Sequence, residues 1–382
     1  MKQIVTGVAL LSLLLATASA DDSPAWRSKA DELVKPLLES KKLHNVIVGV
    51  VDATGKRHYL TFGDKPDGVE KLDENTIFEI GSITKVFTGI LLADMVRRGE
   101  VELADSVADL LPPQVRVPTR NRKAITLLDL TTHFSGLPLL PANLAPANRT
   151  NPFADYTVDQ LYESISRYEL PRDPGDAFEY SDLAVGLLGH ALSLRAGTTY
   201  EALVSDRILR RLGMTHTAVT STPWMKDHLV PGHNLLGQAV ANWDFPTLPG
   251  MGGLRSTMND MLAFAAANLS REETDLTLAM RESHRGLRQV RAGAAYPGMP
   301  SALRQARVGF NWLSSRPGER RITWTVGLTG GYSTFLALDI EARRAVVVLT
   351  NTGMNNVDYL AFHLLDPTVP LPGAPDLQRP PG

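Results

Sequence analysis

The sequence predicts a mixed α/β fold of the α+β kind: one antiparallel β-sheet flanked by helices, with an inserted all-helical domain. Three observations carry this. Segments rich in β-branched residues cluster near 45–62 and again at 308–350, at opposite ends of the chain. The stretch between about 105 and 283 is helical in pattern, with Pro/Gly loops. The composition is globular: 43% of the 382 residues are apolar and 21% charged. Strands on both sides of a helical block close into one sheet built from the two chain ends.

The elements follow in order. Lys2 opens the chain, an apolar run spans Ile4 to Ala16, and Ala18-Ser19-Ala20 supplies small residues before Asp21. This pattern reads as a signal peptide over 1–20 that is cleaved on export. An uncleaved anchor is the alternative, but the run is shorter than the ~20 residues a bilayer span needs. Asn45 to Asp52 is a strand, Ala53-Thr54-Gly55-Lys56 a turn, and His58 to Phe62 the returning strand of a hairpin. A helix opens near Ser82 and runs to about Arg98, with Gly99 as its stop. Val158 to Tyr168, Ser181 to Ala196, Thr199 to Leu212 and Thr257 to Asn268 are helical. Val308 to Leu313, Arg321 to Thr325, Ser333 to Ile340 and Ala345 to Thr350 are short strands. The expected organisation is a discontinuous sheet domain over 21–104 and 284–366, and a helical domain over 105–283. The last 16 residues carry six prolines, so 367–382 reads as a disordered tail.

Charge and composition also exclude. With 39 Lys+Arg against 41 Asp+Glu, the net charge of −2 speaks against a nucleic-acid partner. The absence of Cys removes disulfides, thiolate metal sites, a cysteine nucleophile and a lipidated N-terminal cysteine. His133, His190, His216, His228 and His233 show no paired metal-ligand spacing. No G-x-S-x-G elbow, phosphate loop or dinucleotide fingerprint is present.

Ser82 and Lys85 lie at i and i+3 at the start of a helix, so they share one face. The free N–H groups and dipole of a helix N-terminus favour a developing negative charge. A serine hydroxyl becomes a strong nucleophile only when a neighbouring base takes its proton. A buried lysine, or a lysine that holds another base, can serve that need. By itself the pair is more often an N-cap serine beside a surface lysine, since a bare S-x-x-K occurs often by chance.

The surrounding words narrow this. Phe78-Glu79-Ile80-Gly81-Ser82-Ile83-Thr84-Lys85 resembles the serine motif of the class C β-lactamase and penicillin-binding-protein superfamily. Further similar phrases follow in order: Leu127 to Pro138, Pro174 to Ser181, Leu212 to Thr217, Gly252 to Thr257 and Thr329-Gly330-Gly331-Tyr332. The resemblance runs from about Leu43 to Thr352. It implies a β-lactamase/transpeptidase-like fold with the active site between a sheet domain and a helical domain. It also implies that Tyr180, in Tyr180-Ser181-Asp182, is the second base facing Ser82 and Lys85. A phenol near an ammonium has its anion stabilised, so it can take the Ser82 proton and return it to the leaving group.

Two positions depart from the family pattern. Asp182 stands where the family has Asn; an ionised Asp can only accept, and it raises the pKa of Lys85. The family's Lys-Thr-Gly falls at Thr325-Val326-Gly327, counted back from Thr329-Gly330-Gly331-Tyr332. An alternative register is Leu328-Thr329-Gly330. Either way the cation is missing. The resemblance puts the oxyanion hole at the N–H groups of Ser82 and Leu328 and assigns Gly327 to close substrate approach. Arg255, Arg320 or Arg321 are candidates to replace the lost charge. The amide-binding Gln position corresponds to Leu140, and Asn356 to the Asn that can meet a substrate carboxylate. Leu248 to Gly253 either lines the cleft or is a plain loop, and Trp243 is an aromatic wall or a core residue.

Three functions remain open at this point. The leading one is an exported serine hydrolase forming an acyl-enzyme at Ser82, acting on a β-lactam or a D-Ala-D-Ala-type peptide. The second is an esterase on the same scaffold, acting on neutral short-chain esters. The third is a non-catalytic penicillin-binding or sensor protein. The expected partner is a small-molecule acyl substrate. No cofactor, nucleic acid or stable membrane anchor is expected. A periplasmic or secreted bacterial monomer fits this reading.

Overall fold

The structure, a computed structural model, describes residues 24–291 and 306–371. Residues 1–20, read above as a signal peptide, and 372–382 of the Pro-rich tail lie outside the described residues. The strands are β1 Val46–Val51, β2 Arg57–Phe62, β3 Ile77–Glu79, β4 Gly232–His233, β5 Ala239–Val240, β6 Arg255–Thr257, β7 Arg288–Gln289, β8 Arg307–Gly309, β9 Trp312–Ser315, β10 Ile322–Leu328, β11 Ser333–Asp339 and β12 Arg344–Thr350. Eight of them form one antiparallel sheet in the order β2-β1-β12-β11-β10-β9-β8-β7. Strands from the two ends of the chain pair next to the β2 edge, where Val46 lies opposite Thr350 and Val51 opposite Ala345.

The helices are α1 Pro24–Glu39, α2 Thr84–Arg97, α3 Leu127–Thr131, α4 Val158–Arg167, α5 Asp182–Ala196, α6 Tyr200–Val204, α7 Pro223–Asp227, α8 Met258–Asn268, α9 Asp275–Ser283 and α10 Asp358–Leu365. They cover both faces of the sheet. Val46, Val48 and Val50 of β1 join a core with α1 and α10, while Ile47 and Val51 face a larger core with α2, α5 and α8. This is why β1 and β12 read as unbroken apolar runs instead of alternating ones. Each fully buried Val, Ile or Leu contributes roughly 1.5–3 kcal/mol by transfer alone.

Three expectations shift. Helix α8 falls inside the expected helical block of 105–283, yet it packs on β1 and β12, so the sheet layer includes it. Val308 to Leu313 is two strands. Phe310 and Asn311, at φ 46° and 66°, form a two-residue turn between β8 and β9. The Thr199 to Leu212 helix is regular only over α6, then widens over Ser205–Leu209 and tightens over Arg210–Leu212. Among the described residues, no helix is long and apolar enough to cross a membrane.

Candidate active site

Helix α2 is buried on all sides from Thr84 to Met95, which explains its mostly apolar sequence. It is entered through a 3-10 turn, Gly81–Ile83, so Ser82 stands just ahead of the helix. Gly81 has φ 49°, and a Cβ there would lie 2.8 Å from the Leu328 nitrogen and 2.9 Å from its oxygen. A Cβ on Gly327 would lie 2.0 Å from the Ile80 carbonyl oxygen. The Ser82 turn and the end of β10 therefore lie backbone against backbone, and glycine at both positions is what permits it. Thr334 of β11 closes the contact by donating to the Ile80 carbonyl at 2.9 Å.

Lys85 lies one turn along α2 and is 2% exposed. Its Nζ is 2.7 Å from Ser82 Oγ, 2.5 Å from the Met251 carbonyl oxygen and 2.7 Å from Asp182 Oδ1. The ammonium donates to Ser82 Oγ and to the Met251 carbonyl, and Asp182 balances its charge. Burial lowers the Lys85 pKa, and the charge and hydrogen bonding of Asp182 push it back up. The pull of Asp182 has the expected sign, but burial is the larger influence.

Tyr180 and Asp182 arrive together. Ser181 caps α5: its Oγ accepts from the Ala184 N–H at 3.0 Å and donates to the Pro138 carbonyl at 2.6 Å. Tyr180 is thereby held just before the helix and Asp182 in its first turn, where a carboxylate is favoured. The Tyr180 hydroxyl donates to Ser82 Oγ at 3.0 Å, and Lys85 Nζ lies 5.2 Å from the centre of its ring. Ser82, Lys85, Tyr180 and Asp182 thus form one cluster drawn from two segments nearly a hundred residues apart.

The remaining expected site residues divide. Thr325 is buried on β10 opposite Leu336, and Gly327 and Leu328 end that strand beside the serine turn. Asn356 is exposed between β12 and α10 and bonds to none of the cluster. Its neighbour Asn355 ties that segment to Ser333 Oγ and to the Lys42 carbonyl. Leu140 packs against the core.

The three arginines do not replace the lost cation. Arg255 is buried and is spent on the Val219 and Trp243 carbonyls and on Asp244, with Glu79 at 3.5 Å. Arg320 pairs with Asp339 before β10 begins, and Arg321 is exposed there, at the opposite end of the strand from Leu328. Among the described residues, Lys85 is the one cation bonded into the cluster, and Asp182 pairs it.

Two contributions have no obvious sequence signal. The Met251 carbonyl comes from the 3-10 turn Pro249–Met251, so the Leu248 to Gly253 segment meets the cluster at that one residue. A backbone acceptor leaves no trace in residue type; only the run of glycines hinted at it. His133 packs its ring on Tyr180 at 4.6 Å. Half-buried Trp243 leans on Gly330, just beyond β10, and on Phe153. No group of three His, Cys, Asp or Glu able to hold a metal occurs among the described residues.

Known proteins with similar sequences and folds can now be set beside this geometry. A family model described as Beta-lactamase matches residues 30–362. The D-alanyl-D-alanine-carboxypeptidase/endopeptidase AmpH of Escherichia coli K12 is 29% identical over 334 residues, covering 85% of this chain and 84% of that protein. A beta-lactamase of Pseudomonas fluorescens is 25% identical over 357 residues, covering 87% and 95%. A solved beta-lactamase/D-alanine carboxypeptidase from Yersinia pestis, complexed with citrate, superposes with a TM-score of 0.78 at 24% identity, covering 91% of this chain and 99% of that one.

Proposed function

The chain belongs to the beta-lactamase family and is a serine hydrolase, and from that premise we propose that it works through a covalent acyl-enzyme on Ser82. The observation that carries this is the reach of one oxygen: Ser82 Oγ lies 2.7 Å from an amine and 3.0 Å from a phenol. In the proposed cycle Tyr180 acts as its phenolate: the oxygen takes the Ser82 proton as Oγ attacks the substrate carbonyl. The N–H groups of Ser82 and Leu328 hold the oxyanion. Tyr180 returns the proton to the leaving group as the carbonyl–leaving-group bond breaks. A water then gives a proton to Tyr180 as its oxygen attacks the acyl carbonyl; the bond to Ser82 Oγ breaks, and Tyr180 returns the proton to Oγ. Lys85 is assigned the supporting role. Its charged form has no lone pair to act as a base, and Asp182 works against the loss of its proton.

The relatives suggest a β-lactam or a D-Ala-D-Ala-type peptide as substrate. Thr325 and Gly327 would line the approach along β10, with Asn356 at the outer edge. A second reading has its own support. Thr325 is neutral and Asp182 pairs Lys85, so among the described residues no unpaired cation joins the cluster to receive a substrate carboxylate. That favours neutral short-chain esters. Export after cleavage of residues 1–20, and action as a periplasmic or secreted monomer, belong to the same proposal. The test is a panel of a chromogenic cephalosporin, a D-Ala-D-Ala peptide and a p-nitrophenyl ester on wild type and Ser82→Ala. The proposal expects turnover that Ser82→Ala abolishes; turnover surviving in Ser82→Ala overturns it.

A further inference from the structure

We propose that His133 is a positioning residue for Tyr180, fixing where the phenol stands against Ser82. The inference rests on the role given to Tyr180 above. His133 holds the tyrosine and its two chain neighbours in three ways. Its ring lies against the Tyr180 ring with centroids 4.6 Å apart and planes inclined by 36°. Its carbonyl accepts from the Glu179 N–H at 2.8 Å. Its Nδ1 accepts from the Ser181 N–H at 3.2 Å. The residues immediately before and after Tyr180 are therefore both bound to the side or main chain of one buried histidine.

The backbone explains how one residue reaches both. His133 has φ 60°, a left-handed conformation uncommon for a side-chain-bearing residue. It follows α3, which is pinned by the reciprocal Thr126–Asp129 cap. The turn lays residues 133–139 alongside 175–183. The Gly175 N–H donates to the Phe134 carbonyl at 2.8 Å, and the Leu183 N–H to the Leu139 carbonyl at 3.1 Å. The Tyr180 segment takes its path from this template.

Residue type matters at 133. Accepting at Nδ1 places the ring proton on Nε2, so the ring must be neutral. Burial and the nearby Lys85 charge lower its pKa to about 3, which keeps the acceptor available across the working range. A leucine fills similar space but leaves a buried N–H unpaired. An asparagine tolerates the left-handed backbone and can accept, but it offers no ring to the phenol. The two substitutions separate the hydrogen bond from the ring contact.

The experiment is a double-mutant cycle with His133→Asn, His133→Leu and Tyr180→Phe. Acylation and turnover of a p-nitrophenyl ester are measured, with thermal melts beside them. His133→Asn is expected to melt close to wild type and to lose about tenfold in kcat with KM within about twofold. His133→Leu is expected to lose more. In the Tyr180→Phe background neither change is expected to cost further activity, because His133 acts only through the phenol. Equal losses with and without the phenol, or wild-type kcat in His133→Asn, would overturn the positioning role. Full activity in Tyr180→Phe alone would instead overturn the tyrosine assignment, so the two failures are distinct.

Discussion

Replacing Asp182 by Asn isolates the one charge pair in the cluster. The carboxylate oxygen lies 2.7 Å from Lys85 Nζ. Coulomb's law at an effective dielectric of ~20 gives about 6 kcal/mol for that separation, before desolvation. The net cost is smaller, because the Asp182 side chain is 24% exposed and Asn can still accept a hydrogen bond. Breaking a buried pair costs about 3–5 kcal/mol, and partial exposure brings the expectation here to about 2 kcal/mol near pH 6. The pH dependence has a definite sign. Burial already lowers the Lys85 pKa in the folded protein, and losing Asp182 lowers it further. The folded variant then gives up the lysine proton more readily than the unfolded chain, which keeps its ordinary value. Stability is lost as pH falls from the unfolded pKa toward the folded one, and regained over the same window as pH rises, at about 1.4 kcal/mol per pH unit. Urea unfolding of wild type and Asp182→Asn at pH 6 and pH 9, followed by tryptophan fluorescence, measures this. The destabilisation is expected to shrink to under about 1 kcal/mol at pH 9. The same destabilisation at both pH values, or none at either, would refute the reasoning.

Other substitutions test other parts of the site. Tyr180→Phe removes the hydroxyl 3.0 Å from Ser82 Oγ. It is expected to cost about 10²–10⁴ in kcat/KM toward a p-nitrophenyl ester, with little change in melting temperature. Gly327→Ala drives a methyl toward the Ile80 carbonyl and Thr334 Oγ1. Denaturation is expected to show a loss of about 1–3 kcal/mol or more, and acylation of Ser82 to slow as β10 is forced from the serine turn. Thr325→Lys returns a cation to the buried face of β10. Steady-state kinetics are expected to shift preference toward a carboxylate-bearing cephalosporin over a neutral ester by about tenfold, some 1.4 kcal/mol.

Much of this molecule was legible because its signals are local. The Val-Ile-Val-Gly-Val-Val run of β1 and the Ala-Val-Val-Val-Leu run of β12 announce strands buried on both faces. The i, i+3 spacing of Ser82 and Lys85 forecast their 2.7 Å contact. The Tyr180-Ser181-Asp182 phrase forecast a group facing them. What stayed hidden depends on the path of the backbone. Phe310 and Asn311 take the left-handed conformations themselves while Gly309 beside them stays in the strand, so two strands looked like one. Met251 enters through its carbonyl, which any residue carries. The arginines are named by sequence, but only their partners reveal that Arg255 is enclosed and Arg320 paired far from the serine. Membership of α8 in the sheet layer is likewise a matter of packing and not of pattern.

The account stands on a covalent bond at one oxygen. Intact-mass analysis after exposure to a penicillin and, separately, to a fluorophosphonate reads that bond, and peptide mapping locates it. The account predicts a single adduct on Ser82 with at least one of the two reagents, absent in Ser82→Ala and slowed in Tyr180→Phe. No adduct with either reagent, or one that persists in Ser82→Ala, would contradict it.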